Sequence, residues 1–359
     1  MRALCIHAGP AALQHIKRNG LQAADVCTIP GAAGGPKGLI LGPLDRFIFG
    51  CWLAQSSQPV QLIGASIGAW RMATACLNNP VAAFQRLEHD YIRQHYELLP
   101  GETRPSAATV SSLFAQTLRD FYDGRIAEVL NHPRFSLHII TAHGLRLLSR
   151  EQRWRTPIGF LGAFLSNLVR REAMGAWLER VVFSTQPAAL PFVDSDYRTR
   201  RSSLNESNFR SVLQASCSIP FVLQAVHDIE GGPAGAYWDG GLTDYHLHLD
   251  YAAAPTAKGL VLYPHFQRSV VPGWLDKRLT WRHKATPFLD NMVLLAPDPD
   301  WVRTLPNGKL PDRTDFSRYG QDLGARVRDW SAAAADSVRL ADEFEAWLRR
   351  PDVKQVQTL

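Results

Sequence analysis

The stretch Gly64-Ala65-Ser66-Ile67-Gly68 decides the interpretation of this chain. It lies where a mostly apolar run, residues 60–63, meets a second apolar run with the composition of a helix. A serine between two glycines at a strand-to-helix junction is typical of a nucleophile elbow, a sharp turn that exposes the serine oxygen. The flanking glycines permit this turn because they have no Cβ atom to clash. We therefore expect Ser66 to be a nucleophile, with Gly64 and Gly68 as the glycines of its elbow.

Two other glycine-rich segments carry groups that could act with this serine. Asp239-Gly240-Gly241 places a carboxylate in a glycine turn, which makes Asp239 a candidate base. Gly34-Gly35-Pro36-Lys37-Gly38 opens an apolar segment that we expect to be helical. Free N–H groups at such a helix start, together with the helix dipole, favour a developing oxyanion. Gly34 and Gly35 are therefore candidate oxyanion donors and Lys37 a nearby positive charge, although the same glycines could merely form a tight turn.

Composition and charge narrow the class of protein. The chain has 359 residues, of which 46% are hydrophobic and 20% charged, as in an ordinary soluble globular protein. Its formal net charge is +6, with arginine clusters such as Arg170-Arg171. We expect a solvated basic surface, with attraction to an anionic membrane surface as the weaker alternative. No basic stripe alternates with aromatic residues, so a nucleic-acid partner is not expected.

Cysteine usage and the N-terminus bear on the compartment. The five cysteines are scattered, with no paired framework and no metal-like spacing, which suits a reducing compartment. The N-terminus has no basic-plus-apolar signal pattern, so export is not expected. Residues 47–70 carry no charge, but a polar turn interrupts them, so they do not predict a membrane span. We expect a cytoplasmic protein whose contact with membranes, if any, is peripheral and transient.

The order of the apolar runs predicts an α/β fold. Strands at 26–29 and 60–63 alternate with helical segments at 39–53 and 67–77. Pro36 would suit the first helical position of the earlier helix, where its missing N–H costs nothing. This pattern is typical of a parallel sheet covered by helices. Farther along the chain, the pattern predicts helices at 81–98, 111–129 and 208–214, strands at 136–142 and 259–263, and mostly helix at 317–350. The apolar stretch 157–182 is most often buried core or a cap helix, with a mobile lid or lipid-facing patch as the alternative.

Taken in order, these motifs resemble the patatin-like phospholipase family. The matching elements are the glycine-rich loop that begins at Gly34, the elbow around Ser66 and the turn that begins at Asp239. A softer fourth element is Ala215-Ser216-Cys217-Ser218-Ile219-Pro220, which is similar to a segment that such proteins carry before the aspartate. The resemblance covers roughly residues 22–250 and is specific because several ordered motifs rarely coincide by chance.

The resemblance implies a fold, a mechanism and site residues. The fold is a three-layer α/β/α arrangement with a parallel-rich central sheet and a helical C-terminal extension. Residues 1–260 would form the catalytic domain, with a helical cap or insertion at about 80–205, and residues 261–359 a mostly helical extension packed on the same domain. Ser66 and Asp239 would form a catalytic dyad, Gly34 and Gly35 the oxyanion hole, and Lys37 and Gly38 the rest of the oxyanion loop.

The activity implied is hydrolysis of acyl esters in lipids, of the phospholipase A or lysophospholipase type, through an acyl-enzyme on the serine. No metal ion or organic cofactor is needed, and calcium dependence is not expected, since no acidic loop has ligand spacing. Because a carboxylate with a pKa of about 3.9 is a poor base, the dyad should be partly desolvated. Departures from the family pattern at Ala33, Trp70, Tyr245 and Leu247 bear on substrate shape more than on catalysis.

Other interpretations of the polar residues stay open. The glycine loop is not a phosphate-binding P-loop, because Pro36 separates Gly35 from Lys37 and no serine or threonine follows the lysine. His246 and His248 alternate, so in a strand they would share one face and could be half of a metal site. His246, His265 or His283 could also complete a Ser…Asp…His triad. A catalytically silent lipid-binding protein on the same scaffold is a further alternative, and the oligomeric state is not predicted.

Overall fold

The computed structural model describes residues 1–98, 104–254 and 259–359. Its central feature is one mixed β-sheet, whose strands are drawn from nearly the whole length of the chain. The strands are β1 (Leu4–Ala8), β2 (Val26–Gly31), β3 (Val60–Ala65), β4 (Phe135–Gly144), β5 (Leu178–Ser184), β6 (Thr199–Ser203), β7 (Val226–His227), β8 (Ala236–Asp239), β9 (Leu260–Pro264), β10 (Met292–Pro297) and β11 (Val356–Thr358).

Parallel pairing dominates the middle of this sheet. The strand order is β11-β1-β10-β9-β2-β3-β4-β5-β6, and β9, β2, β3 and β4 run parallel to one another. Antiparallel pairs join β1 to β10 and β4 to β5, and β8 adds antiparallel to β4 and β7. Strands β2, β3 and β4 are buried almost throughout, as expected of parallel strands with helices on both faces. The prediction of an α/β/α fold with a parallel-rich sheet is confirmed.

Helices fill most of the connections between strands. They are α1 (Pro10–Asn19), α2 (Gly42–Phe47), α3 (Ile67–Ala75), α4 (Pro80–Arg93), α5 (Ala107–Tyr122), α6 (Ile126–Leu130), α7 (Arg155–Val169), α8 (Phe209–Ser216), α9 (Pro299–Val302), α10 (Thr314–Tyr319), α11 (Leu323–Asp336) and α12 (Val338–Arg349). The segment predicted as one helix at 39–53 is helical but irregular, because a 3-10 turn, Gly35–Leu41, precedes α2 and a π-helical turn, Ile48–Trp52, follows it. The helix predicted at 111–129 is likewise broken into α5 and α6.

The middle of the chain differs from the predicted helical cap. Residues 80–205 contain β4, β5 and β6, and β4 pairs directly with β3. This segment therefore builds one side of the sheet, because the backbone groups of its strands are paired with β3 and with one another. The apolar stretch 157–182 divides in the same way: it begins within α7, but its last residues belong to the buried strand β5.

The C-terminal part is also more than a helical extension. It supplies β10 and β11 to the sheet, and the expected boundary at 260/261 falls inside β9. Helix α12 packs against β1 and α2, and α11 packs against α4. Leu39, Ile92, Trp330 and Ala334 form a small core at the second of these contacts. The last hundred residues thus add strands to the sheet, and their helix α11 packs beside the 3-10 turn that contains the glycine-rich loop.

Two further observations concern the chain as a whole. All five cysteines are free, and Cys51 is exposed while the other four are buried. In the described part of the chain, no helix combines the length and the apolarity needed to cross a bilayer.

Candidate active site

Ser66 occupies a strained turn between β3 and α3. Its backbone φ of 55° and ψ of −131° lie in a region that non-glycine residues rarely adopt. The turn is tight enough that a Cβ on Gly64 would overlap the backbone of Ala69, and one on Gly68 would overlap the carbonyl oxygen of Gly31. The backbone N–H of Ser66 donates to the Oγ atom of Ser216 at 3.0 Å. This is the geometry of a nucleophile elbow, and both flanking glycines are required by close backbone packing.

The Ser66 hydroxyl faces Asp239. Its Oγ atom donates a hydrogen bond of 2.7 Å to Oδ2 of Asp239, and Oδ1 of the same carboxylate accepts the N–H of Gly241 at 2.7 Å. Both side chains are buried, with 3% of Ser66 and 6% of Asp239 exposed. The structure therefore brings together the two residues that the sequence proposed as nucleophile and base, although 173 positions separate them.

Strand β4 explains why these two residues meet. Its residue Ile140 lies opposite Ala65 at the end of β3, and its next residue, Thr141, lies opposite Asp239 at the end of β8. A Cβ on Gly240 would overlap the carbonyl oxygen of Ile140, so the turn after Asp239 must be glycine to lie this close to the strand. The elbow and the Asp-Gly-Gly turn are thus neighbours along one edge of β4.

Burial and nearby charge set the basicity of the carboxylate. Burial raises the pKa of Asp239 above its ordinary value. The positive charge of Arg313, the hydrogen bonds from Ser66 and Gly241, and the charge of Lys277 act in the opposite direction but do not cancel the effect of burial. Burial also lowers the pKa of Lys277 to about 7, helped by repulsion from Arg313 and Lys37. The expected desolvated carboxylate is what the structure contains.

The glycine-rich loop that begins at Gly34 forms part of the wall of the cavity beside Ser66. Gly35 has a φ of 57° and lines the same cavity as Ser66. Gly34 packs on Phe266, where a Cβ would overlap the ring. Within residues 1–98, 104–254 and 259–359, the N–H groups of Gly34 and Gly35 have no hydrogen-bond acceptor, whereas the N–H of Ala33 donates to the carbonyl oxygen of Tyr245 at 2.9 Å. These free donors are what an oxyanion hole requires.

Of the other residues of this loop, Pro36 also lines the cavity, whereas Lys37 and Gly38 do not. The Lys37 ammonium is 5.5 Å from the centroid of the Phe266 ring, and its pKa is lowered by burial. Gly38 packs against Ile67 and Arg71, where an added Cβ would crowd the Ile67 side chain. Pro36 is the second residue of a 3-10 turn and not the first residue of an α-helix as predicted.

A mostly apolar cavity of about 590 Å³ opens beside Ser66. Its volume is typical of a small-molecule site. The apolar part of the wall includes Trp70, Val110, Phe114 and Leu223, and the polar part includes Arg313. Trp70 is 2% exposed and packs edge-on against Phe114, with ring centroids 5.4 Å apart. The cavity can therefore take an apolar chain whose polar end lies at the serine.

The candidate histidines are engaged elsewhere. His246 and His248 do not lie in a strand, because Leu247 between them has a φ of 49°, so the expected shared face does not form. Nδ1 of His246 lies 3.1 Å from the carbonyl oxygen of Ser269, and Nε2 of His248 lies 3.0 Å from the Thr286 hydroxyl. In the described ranges, no group of three or more His, Cys, Asp or Glu side chains could hold a metal ion.

The proposed triad members also have other partners. Nδ1 of His265 lies 2.5 Å from the carbonyl oxygen of Gln267, and Nε2 of His283 lies 2.9 Å from the carbonyl oxygen of Asp276. Burial lowers the pKa of His265 to about 3. The hydroxyl that a triad histidine would need to reach donates to Asp239 instead.

Sequence reasoning assigned no role to several residues that shape this site. The Oγ atom of Ser216 accepts the Ser66 N–H and donates to the carbonyl oxygen of Ile140 at 2.7 Å, so it connects the elbow to β4. The carbonyl oxygen of Ser218 accepts the N–H of Asp239 at 2.9 Å. Both serines belong to the Ala-Ser-Cys-Ser-Ile-Pro segment, which was the available signal. No sequence pattern pointed to Arg313 or Lys277.

The site and the fold together define a class: α/β/α proteins with a serine at a strand-to-helix elbow, hydrogen-bonded to an aspartate in a glycine turn. The chain belongs to the patatin-like phospholipase family, whose family model matches residues 34–247. Membership supports a lipid acyl hydrolase in general terms. A search among curated proteins found no match. Arg313 and Lys277 lie outside the segment that the family model covers.

Proposed function

We propose that the protein is a serine hydrolase that cleaves fatty-acyl esters of lipids, of the phospholipase A or lysophospholipase type. The observation that carries this proposal is the 2.7 Å hydrogen bond from Ser66 Oγ to the buried carboxylate of Asp239, at the wall of an apolar cavity. A nucleophile within hydrogen-bond reach of a base, with an apolar chain site beside it, is the arrangement that acyl transfer from a lipid ester needs.

Acylation would begin with attack of Ser66 Oγ on the ester carbonyl carbon. Asp239 Oδ2 accepts the serine proton as the new C–O bond forms, and the N–H groups of Gly34 and Gly35 stabilise the oxyanion. Collapse of the tetrahedral intermediate breaks the bond to the alcohol, which takes the proton from Asp239. A water molecule then attacks the acyl-enzyme and gives its proton to Asp239. Breakdown of the second intermediate returns that proton to Ser66 and releases the fatty acid.

The electrostatics of the site fit the role of Asp239 as a base. A general base is most effective when its pKa approaches the working pH and it is still ionised. Burial moves the pKa of Asp239 in this direction, while Arg313 and Lys277 limit the rise. The hydrogen bond from Gly241 orients the carboxylate so that Oδ2 remains directed at the serine.

We further propose a cytoplasmic location with peripheral contact at membranes, in keeping with five free cysteines and a lipid substrate. No step of the mechanism requires a cofactor.

The test is hydrolysis of p-nitrophenyl esters of increasing acyl length, together with labelling by a fluorophosphonate that reacts with activated serines. The wild type should release p-nitrophenol and be labelled, and Ser66→Ala should do neither. Ser112→Ala, which removes an exposed hydroxyl on α5, is the matched control and should behave as the wild type. Retained turnover in Ser66→Ala would reject the nucleophile. A folded wild type that is neither active nor labelled would instead favour a silent lipid-binding protein.

A further inference from the structure

Helix α7 carries a row of exposed apolar side chains. Ile158, Leu161 and Leu165 are each more than half exposed, and Val169 at the end of the helix is 86% exposed. Their spacing of three or four residues places them along one side of the helix. The opposite side is buried: Phe160 and other residues of α7 pack into a hydrophobic cluster with Trp238. The helix is therefore anchored to the protein with its apolar row facing outward.

This row is unusual for a surface in contact with water. Residues 156–169 contain no charged side chain, although the exposed side of a surface helix is normally polar or charged. Trp154, just before the helix, is 74% exposed. Contiguous exposed apolar side chains of this kind mark an interaction surface, whereas scattered single ones do not.

The helix that carries this row also contacts the wall of the substrate cavity. Phe221 and Val222 line the cavity and are themselves 59% and 47% exposed. Phe160 of α7 packs edge-on against Phe221 with ring centroids 5.8 Å apart, and against Trp238, the residue before Asp239, at 5.4 Å. We call this surface the apolar face; it comprises Ile158, Leu161, Leu165, Val169, Phe221 and Val222.

Arginine side chains lie at both ends of the apolar row on α7. Residues 146–172 contain six arginines and two glutamates, and no other charged side chain. Arg153 and Arg155 lie at one end of α7, and Arg170, which pairs with Glu172 at 3.2 Å, lies at the other; all three arginines are exposed. An anionic surface would be attracted to these ends while the apolar side chains are buried between them. A second copy of the chain packed face to face would instead bring two arginine-rich surfaces together.

We propose that the apolar face docks the protein on an anionic lipid bilayer, so that the cavity mouth at Phe221 and Val222 opens toward the acyl chains. The inference rests on the proposed lipid hydrolase function and adds the surface through which substrate is reached. Helix α7 has 15 residues and is about 22 Å long, shorter than the hydrocarbon core of a bilayer, so it lies in the interface and does not span it.

Vesicle flotation of the full chain tests this docking. The Ser66→Ala background keeps the lipid intact, and vesicles contain phosphatidylcholine alone or phosphatidylcholine and phosphatidylglycerol in equal amounts. The protein should float with the anionic vesicles and less with the neutral ones. Ile158→Gln/Leu161→Gln/Leu165→Gln should weaken partitioning by roughly tenfold or more, because three apolar side chains are lost from the interface. Val338→Gln changes an apolar residue of α12 that is 42% exposed and serves as the matched control.

The remaining outcomes separate this inference from the proposed function. Equal flotation of the triple variant and the control would overturn the docking surface. A dimer seen by light scattering that the triple variant abolishes, without flotation of either protein, would assign the apolar face to a second copy and also overturn it. Turnover of soluble esters without vesicle binding rejects the docking alone. If the triple variant loses vesicle binding but the wild type hydrolyses no ester, the docking surface is supported and the proposed function is rejected.

Discussion

Replacing Asp239 by asparagine should separate activity from stability. The amide keeps the size of the carboxylate, and its oxygen can still accept the N–H of Gly241, which now donates at 2.7 Å. It cannot accept the proton of Ser66, whose hydroxyl donates to Oδ2 at 2.7 Å. Because a positioned general base contributes about 10²–10⁴ in rate, we expect kcat/KM for a p-nitrophenyl ester to fall by that factor.

The stability of the same variant should not fall with its activity. Burial raises the pKa of Asp239 in the folded protein, so the fold favours the protonated acid over the carboxylate. Stability from this group is complete below its unfolded pKa and is lost as the pH rises through the higher folded pKa. Asparagine resembles the protonated acid at every pH. Asp239→Asn should therefore be as stable as the wild type at about pH 4 and at least as stable at about pH 9.

Asp45→Asn is the informative comparison, since Asp45 is equally buried and burial raises its pKa as well, but its carboxylate is paired with a buried guanidinium. The ion pair, and not the direction of the pKa, distinguishes the two sites. Its two oxygens accept hydrogen bonds of 2.7 Å from the Nε and NH2 groups of Arg71. Removing its charge leaves the guanidinium buried and uncompensated, which should lower the free energy of unfolding by about 3–5 kcal/mol. Urea denaturation at both pH values measures both variants. If the activity of Asp239→Asn stays within about tenfold of the wild type, the assignment of Asp239 as the base is refuted. If Asp239→Asn loses as much stability as Asp45→Asn, the conclusion that Asp239 has no stabilising ion pair is refuted.

Three further predictions concern residues around the dyad. Arg313→Gln removes a charge that lowers the pKa of the proposed base, so the acidic limb of the kcat/KM profile should move to higher pH. Arg318→Gln, on the helix α10 that Arg313 immediately precedes, should leave the limb in place. An unmoved limb in Arg313→Gln would contradict the charge coupling. Ser216→Ala leaves the N–H of Ser66 without its acceptor, so kcat should fall and the free energy of unfolding, measured with urea, should drop by about 1–3 kcal/mol. Wild-type values for both would exclude a role for Ser216 in holding the turn. Trp70→Ala removes a ring that lines the cavity, so the preference should shift toward longer acyl esters, at a cost of about 3–5 kcal/mol in the free energy of unfolding. An unchanged chain-length profile would mean that the ring does not limit the length of the cavity.

The elements that the sequence predicted well are those defined by local pattern. The strand at 60–63, the turn at Ser66 and the helix that follows depend on adjacent residues, and the structure contains all of them as β3, the elbow and α3. Within the expected helical cap at 80–205, the strand β5 was missed, because a short buried strand has the same apolar composition as a buried helix segment. Only pairing with neighbours distant in sequence distinguishes the two.

The sequence by itself determined the chemical groups and the local turns: a serine at a glycine elbow, a carboxylate in a glycine turn, and a glycine-rich loop at Gly34 and Gly35 with candidate oxyanion donors. Their identity and their immediate backbone geometry depend on a few consecutive residues. Only the tertiary structure decided that strand β4 places the Oγ atom of Ser66 2.7 Å from Oδ2 of Asp239. It also decided that Arg313, from the C-terminal part, lies beside the cavity. Burial and long-range charge set the pKa of Asp239, and both exist only when distant segments pack together.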